Sequence, residues 1–218
     1  MKSFAIIGCG RFGSAVAKTL YDLDNEVLVV DKDPDIIQSI SDYVTHAIEA
    51  DVMEESVLYE LGLSNFDIVI VSIGSDLEAS ATVTLAAKEL GVKNVISKAQ
   101  TDLHGKILKK IGADKVIFPE RDMGVRVAHN LASSNILDYI QVSPDFSILE
   151  ITALKSWQDK TISELKLRNI YGINVIAIKR NSEVIPSPGP DFVIKKFDIV
   201  VIIGNKEDIK EIELKAGE

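Results

Sequence analysis

Short runs of apolar, often β-branched residues recur through the first 120 positions, at residues 4–7, 26–30, 68–72, 95–97 and 115–118. A further strand is expected over 44–48. Between the runs, apolar residues return at helical spacing over 14–21, 35–41, 54–61, 77–90 and 103–111. Several of these helices run into glycine, as at Leu90-Gly91 and Ile111-Gly112, where a left-handed cap is expected. Strands that stay apolar without alternating, separated by helices, predict an α/β domain whose parallel sheet is covered on both faces.

The pattern changes after Pro119. One helix is expected from Pro119 to Leu137, with Val125, Ala128, Leu131 and Ala132 on one face. Strands then outnumber helices: 138–142, 147–153, 175–179, 183–185 and 198–203, with a helical turn at 162–165 and a last helix over 205–214. Prolines 186, 188 and 190 mark a stiff surface loop. This predicts two domains, residues 1–140 and a small α+β domain over 141–218.

Hydrophobic residues make up 46% of the 218, enough for one good core and a smaller second one. The formal charge is −9, so the surface as a whole repels nucleic acid, and no basic run with interleaved aromatics offsets it. The single cysteine, Cys9, excludes an intrachain disulfide and a cysteine-based metal site. No apolar stretch approaches the roughly 18 residues of a membrane span, so a cytoplasmic protein that meets a membrane only through a partner is expected.

The most informative segment is Gly8-Cys9-Gly10-Arg11-Phe12-Gly13, between the first strand and the first helix. Glycines there allow a tight turn and a close backbone approach, and a helix N-terminus offers unpaired N–H groups to phosphate. Asp31 ends the second strand, 18 residues after Gly13, where its carboxylate can accept hydrogen bonds from ribose hydroxyls and repel a 2′-phosphate. The first domain is therefore Rossmann-like. Arg11 opposes the helix dipole, which makes sense if a terminal phosphate sits beside it; a solvent-facing arginine is the plainer alternative. Cys9, between two glycines, is expected to pack rather than react.

Nicotinamide oxidoreductases share such a first half, but hydride transfer also needs acid–base and substrate-holding groups. Residues after 140 contain no histidine or cysteine, and His46, His104 and His129 show no ligand spacing; each is expected to be a surface or half-buried polar residue. No nucleophile elbow is present. Catalysis is not expected.

The chain resembles the RCK family, regulators of potassium conductance, of the KtrA/TrkA type. The likeness rests on the glycine loop, Lys98-Ala99-Gln100, the stretch from Lys110 to Ile117, Pro119-Glu120-Arg121-Asp122-Met123-Gly124, and Tyr171-Gly172 and Pro188 in the second domain. The resemblance implies a nucleotide-binding first domain for ATP or ADP, and a dimerising second domain. It implies homo-oligomers, typically octameric rings, docked beneath a membrane-embedded potassium-translocating partner of the KtrB/TrkH type. By matching positions, Gly8, Gly10, Arg11, Phe12, Gly13, Asp31 and Lys32 would hold the nucleotide. Asp51 and the Ile73-Gly74-Ser75 turn would line the adenosine pocket, with Lys98 near the phosphates. Glu120 would pair with its copy in another subunit around Ca²⁺ or Mg²⁺; a plain helix N-terminal acid is the alternative. Ile162, Arg168, Asn174 and Pro190 fall where some family members bind cyclic di-AMP, although polar groups are few there and plain dimer-core packing is the slightly favoured reading.

Three other readings stay open on the residues alone: a small NAD(H)-dependent oxidoreductase or NAD(H)-sensing regulator, a nucleotide-responsive transcription factor, and a sensor without a channel. Asp31 suits the ribose of ATP or NAD(H) alike. The acidic balance and lack of a helix-turn-helix segment oppose the transcription factor.

Overall fold

The computed structural model describes residues 1–132 and 135–216. They form two compact units, Met1–Arg121 and Asp122–Glu218.

The first unit alternates strand and helix: β1 (Ser3–Ile7), α1 (Arg11–Asp22), β2 (Glu26–Asp31), α2 (Pro34–Ile40), β3 (His46–Glu49), α3 (Glu55–Glu60), β4 (Ile68–Val71), α4 (Leu77–Glu89), β5 (Asn94–Lys98), α5 (Asp102–Lys110) and β6 (Lys115–Ile117). The six strands lie in the order β3-β2-β1-β4-β5-β6, and every pairing is parallel. The unalternating strand sequences follow from this arrangement. Ala5, Ile7, Leu28 and Val30 enter a core on one face, while Phe4, Ile6, Val27 and Val29 enter the core on the other. Burying each such valine or isoleucine stabilises the unit by roughly 1.5–3 kcal/mol, so a charge at any of them is excluded. The Rossmann-like expectation holds.

The second unit contains most of α6 (Pro119–Ala132), then β7 (Ile136–Gln141), β8 (Phe146–Thr152), α7 (Ile162–Leu165), α8 (Leu167–Tyr171), β9 (Asn174–Arg180), β10 (Glu183–Pro186), β11 (Ile199–Asn205) and α9 (Lys206–Ala216). Its sheet is antiparallel, in the order β10-β9-β11-β8-β7. One face buries Leu149, Ile151, Ile178, Val200 and Ile202 with Trp157 and the α9 residues Ile209 and Ile212. This is the expected small α+β unit.

Two expectations change. The helix expected to Leu137 stops at Ala132, because Ile136 already pairs with Ile151 of β8; residues 133–134 of that expectation lie outside the described residues, as do 217–218 of the expected second domain. The face carrying Val125, Ala128, Leu131 and Ala132 is not buried, and Leu131 is 80% exposed. The compact division also falls at Arg121, ahead of residue 140. Side chains of α6 explain it: Arg126 pairs with Asp138 of β7, and His129 stacks on Tyr139 and bonds Glu213 of α9.

Candidate functional site

The strand order of the first unit reverses direction between β1 and β4, and ligands of open α/β sheets bind in the crevice beyond the carboxyl ends of strands at such a point. A cavity of about 450 Å³ opens there, within the usual range for small-molecule sites. Its wall is contributed by Gly8 after β1, Asp31 at the end of β2, Asp51 after β3, Ile73 and Gly74 after β4, and Lys98 at the end of β5.

The glycine loop has the geometry its sequence implies. Gly8 takes φ +89°, in the left-handed region, and a Cβ there would lie 3.0 Å from Ile73 Cγ1. At Gly13 a Cβ would lie 2.3 Å from the Gly8 carbonyl oxygen and 2.9 Å from Ser72 Oγ, so only glycine lets α1 start this close to the sheet. A Cβ on Gly10, which lines the cavity, would instead meet open space. The caps of α2, α4 and α5 are side chains, Asp33, Asp76 and Thr101, but Gly10 gives α1 no side-chain cap. The first N–H groups of α1 thus keep their donors for an anion.

Asp31 pins this loop. One carboxylate oxygen accepts from the Cys9 N–H at 2.5 Å and the other from the Asp33 N–H at 3.1 Å. Each oxygen keeps a lone pair, so the carboxylate can still accept from hydroxyls while it orders the turn. The Cys9 thiol is buried and its pKa is pushed up to about 11, first by burial and then by the Asp31 charge, so it stays a protonated packing group near neutral pH.

Three cations, Arg11, Lys32 and Lys98, face the cavity with four carboxylates, Asp31, Asp51, Asp76 and Glu120. Asp51 accepts from the Met53 N–H at 3.0 Å and Asp76 from the Ala79 N–H at 2.9 Å, so both order loops. Lys98, 9% exposed, donates to Glu120 Oε1 at 2.6 Å. That bond, chiefly, holds the Glu120 carboxyl below the usual glutamate range, with Arg11 adding a smaller attraction. Among the described residues no cluster of three His, Cys, Asp or Glu could hold a metal ion. A cation at Glu120 would have to draw further carboxylates from another copy of the chain.

Of the residues singled out from sequence, Gly8, Gly10, Arg11, Phe12, Asp31, Lys32, Asp51, Ile73, Gly74, Lys98 and Glu120 share one wall, and Gly13 packs behind it. His46, His104 and His129 lie outside it. His104 is buried rather than half-buried; its Nε2 meets Ser80 Oγ at 3.2 Å, and burial lowers its pKa. Sequence reasoning missed Ile36, Met53, Ser72, Asp76 and Gln100 as wall residues. Ser72 carries a signal: its buried Oγ has no hydrogen-bond partner among the described residues. In the second unit, Ile162 and Pro190 lie across one seam, where the Ile162 N–H donates to the Phe192 carbonyl and the Ser163 N–H to the Pro190 carbonyl. Arg168 on α8 and Asn174 at the start of β9 are exposed.

No helix among the described residues is long and apolar enough to cross a membrane. Residues 4–119 match the TrkA-N domain and residues 146–217 the TrkA-C domain. The chain is 43% identical over 212 residues to Ktr system potassium uptake protein A of Bacillus subtilis (strain 168), covering 97% of this chain and 96% of that protein. It is 47% identical to Ktr system potassium uptake protein C of the same organism, with the same coverage. Among solved structures, the GsuK channel aligns with a TM-score of 0.71 at 19% identity, over all of this chain and 40% of that one, a likeness of fold. With both domain families matched in order and relatives similar along nearly their whole length, the chain belongs to the RCK family of TrkA-N and TrkA-C proteins.

Proposed function

We propose that this chain is the nucleotide-sensing regulatory subunit of a potassium-uptake system, and that the first unit binds ATP or ADP without consuming it. The observation that carries the reading is the cavity at the sheet's switch point, where the uncapped start of α1, Arg11 and Lys98 face the same space as Asp31. Adenosine would lie against Ile73 and Asp51, its ribose on Asp31 and its phosphates on α1 and Lys98. The similarity to Ktr proteins A and C supplies the transport context. A membrane-embedded potassium-translocating subunit of the KtrB/TrkH type is the proposed partner, placing the chain on the cytoplasmic face.

The second unit is proposed to dimerise, within a ring that is octameric in the complete assembly. The exposed apolar residues Met123, Val125, Val127 and Leu131 on α6 support self-association, since a helix of a finished monomer would bury them. Cyclic di-AMP is the proposed ligand of Ile162, Arg168, Asn174 and Pro190, with the Arg168 guanidinium taking a phosphate. Equilibrium binding of labelled cyclic di-AMP should drop at least tenfold in Arg168→Ala; equal binding removes that site.

A ligand that binds only the folded state raises its melting temperature. The first unit should be stabilised by ATP and ADP, and Arg11→Ala should erase the difference between them. NAD(H) is the competing ligand, since Asp31 suits its ribose too; a larger shift with NADH than with either adenine nucleotide would reassign the pocket. Steady turnover of NADH would replace the reading with an oxidoreductase.

A further inference from the structure

Lys98 and Glu120 form an unequal pair. The lysine stem is packed against Gly74, whose Cβ would lie 3.1 Å from Lys98 Cε, and the ammonium sits 5.9 Å from the centre of the Phe12 ring. Its side chain is 11% exposed, so the cation is held at one point of the cavity wall. The Glu120 side chain, by contrast, is 64% exposed, and its carboxylate meets Lys98 at 2.6 Å and its own backbone N–H. A fixed, largely desolvated cation needs a counter-charge, and the carboxylate that supplies it is the solvent-exposed partner.

Resting on the adenine-nucleotide reading, we propose that Glu120 is an internal stand-in for a ligand phosphate: it neutralises Lys98 in the empty pocket, and a phosphate oxygen must displace it. The attraction of a fixed ammonium scales with the charge of its partner, so a dianionic phosphate outcompetes a monoanionic carboxylate at the same distance. An uncharged nucleoside gains nothing from the exchange and leaves the pair intact. Glu120 therefore raises the threshold of phosphate charge a ligand needs, which makes it a specificity-determining residue of the pocket. Displaced, its carboxylate remains in the first turn of α6, where the helix dipole favours a negative charge, and so loses little. Arg11 stands close enough to Glu120 to lower its pKa and has no carboxylate within 4 Å among the described residues, so it is free to follow the phosphate.

Calorimetric titration of the full chain with ADP and with adenosine, in EDTA to exclude divalent ions, tests this. Glu120→Gln keeps the shape and removes the charge; it should tighten ADP about tenfold, the worth of one partly screened charged hydrogen bond, and leave adenosine within about twofold. Glu120→Ala should give the same ratio should glutamine disturb the first turn of α6, and unchanged adenosine binding shows either variant folded. A crystal structure of the wild type with ADP should show Lys98 on a phosphate oxygen and its contact with Glu120 broken. Weaker or unchanged ADP binding in both variants, or an intact Lys98–Glu120 contact beside bound ADP, overturns the stand-in while leaving the nucleotide site standing. Wild type that binds neither ADP nor adenosine overturns the functional reading, and the stand-in with it.

Discussion

The cavity of the first unit and the sheet of the second treat charge in opposite ways. In the first, Arg11 and Lys32 face the cavity with no carboxylate within 4 Å among the described residues, and Lys98 holds one exposed glutamate. In the second, the charges close on each other. Asp198, 1% exposed, accepts from Arg180 Nε and Nη2 at 2.7 Å each and from the Lys195 N–H at 2.8 Å. Arg180 also donates to the Val193 carbonyl and lies over the Phe192 ring. Glu150 of β8 likewise takes both oxygens to Lys179 of β9. The cavity of the first unit leaves Arg11 and Lys32 to a group from outside the chain, and the sheet of the second commits Lys179 and Arg180 to itself.

Asp198→Ala puts that contrast under the heaviest load. It would leave a guanidinium and the Lys195 N–H without their acceptor, and breaking one side of a buried pair is costly even where the intact pair contributes little. The second unit should lose about 3 kcal/mol, the low end for such a break because the Arg180 side chain is 35% exposed. Chemical denaturation followed at Trp157, in the core of that unit, would measure it. A loss under about 1 kcal/mol would mean the pair is decoration rather than structure.

In the first unit the sensitive point is backbone. Gly13→Ala forces a Cβ to within 2.3 Å of the Gly8 carbonyl, and the loop or α1 must move. Overpacking of this kind costs about 2 kcal/mol, and nucleotide affinity should fall at least tenfold because the phosphate cradle moves with the loop. Gly10→Ala, with open space at its Cβ, should stay as stable as wild type and lose affinity only. Equal destabilisation by the two would show that the loop serves packing alone.

Much of the first unit was legible in the sequence because its site is local. Gly8, Asp31, Ile73 and Lys98 each sit at or just past the carboxyl end of an apolar run, so locating the run locates the residue. Met53, Asp76 and Gln100 reach the same wall from loops and caps whose paths depend on tertiary packing, and no spacing marks them. His104 was misjudged for the same reason: its partner Ser80 is on another helix. The end of α6 was hidden because Asn135, Ile136 and Leu137 have no helix breaker among them; pairing with β8 decides that stretch, at long range. The apolar face of α6 is exposed among the described residues, and periodicity alone cannot say whether such a face is buried.

The pH response should separate the units next. Arg126, chiefly, holds the Asp138 pKa down to about 2 from an ordinary 3.8, so the bond it makes stabilises the second unit above about pH 4 and is lost as pH falls toward 2. With partial solvent screening the contribution is on the order of 1 kcal/mol. Thermal melts between pH 5 and pH 2 should show the second unit weakening, and Asp138→Asn should flatten that part of its curve. An unchanged slope in the variant would assign the acid sensitivity to Asp198 instead, whose carboxyl is also lowered despite its burial.

The smallest effect belongs to Lys195→Ala, three residues from Asp198. The Lys195 ammonium meets Asp159 at 2.9 Å, but the side chains are 55% and 79% exposed, and a pair in water gains little Coulomb energy while fixing two flexible side chains. The Lys195 N–H, which does bond Asp198, survives the substitution. Stability should change by less than about 0.5 kcal/mol, and 0.5 M salt should not alter the result, because the wild-type pair is already screened. A larger loss, shrinking in 0.5 M salt, would mean that rim charges as well as buried ones hold this sheet together. Burial would then not be what divides structural from idle charge in the second unit, and the free cations of the first could no longer be assigned to a ligand merely because they lack partners.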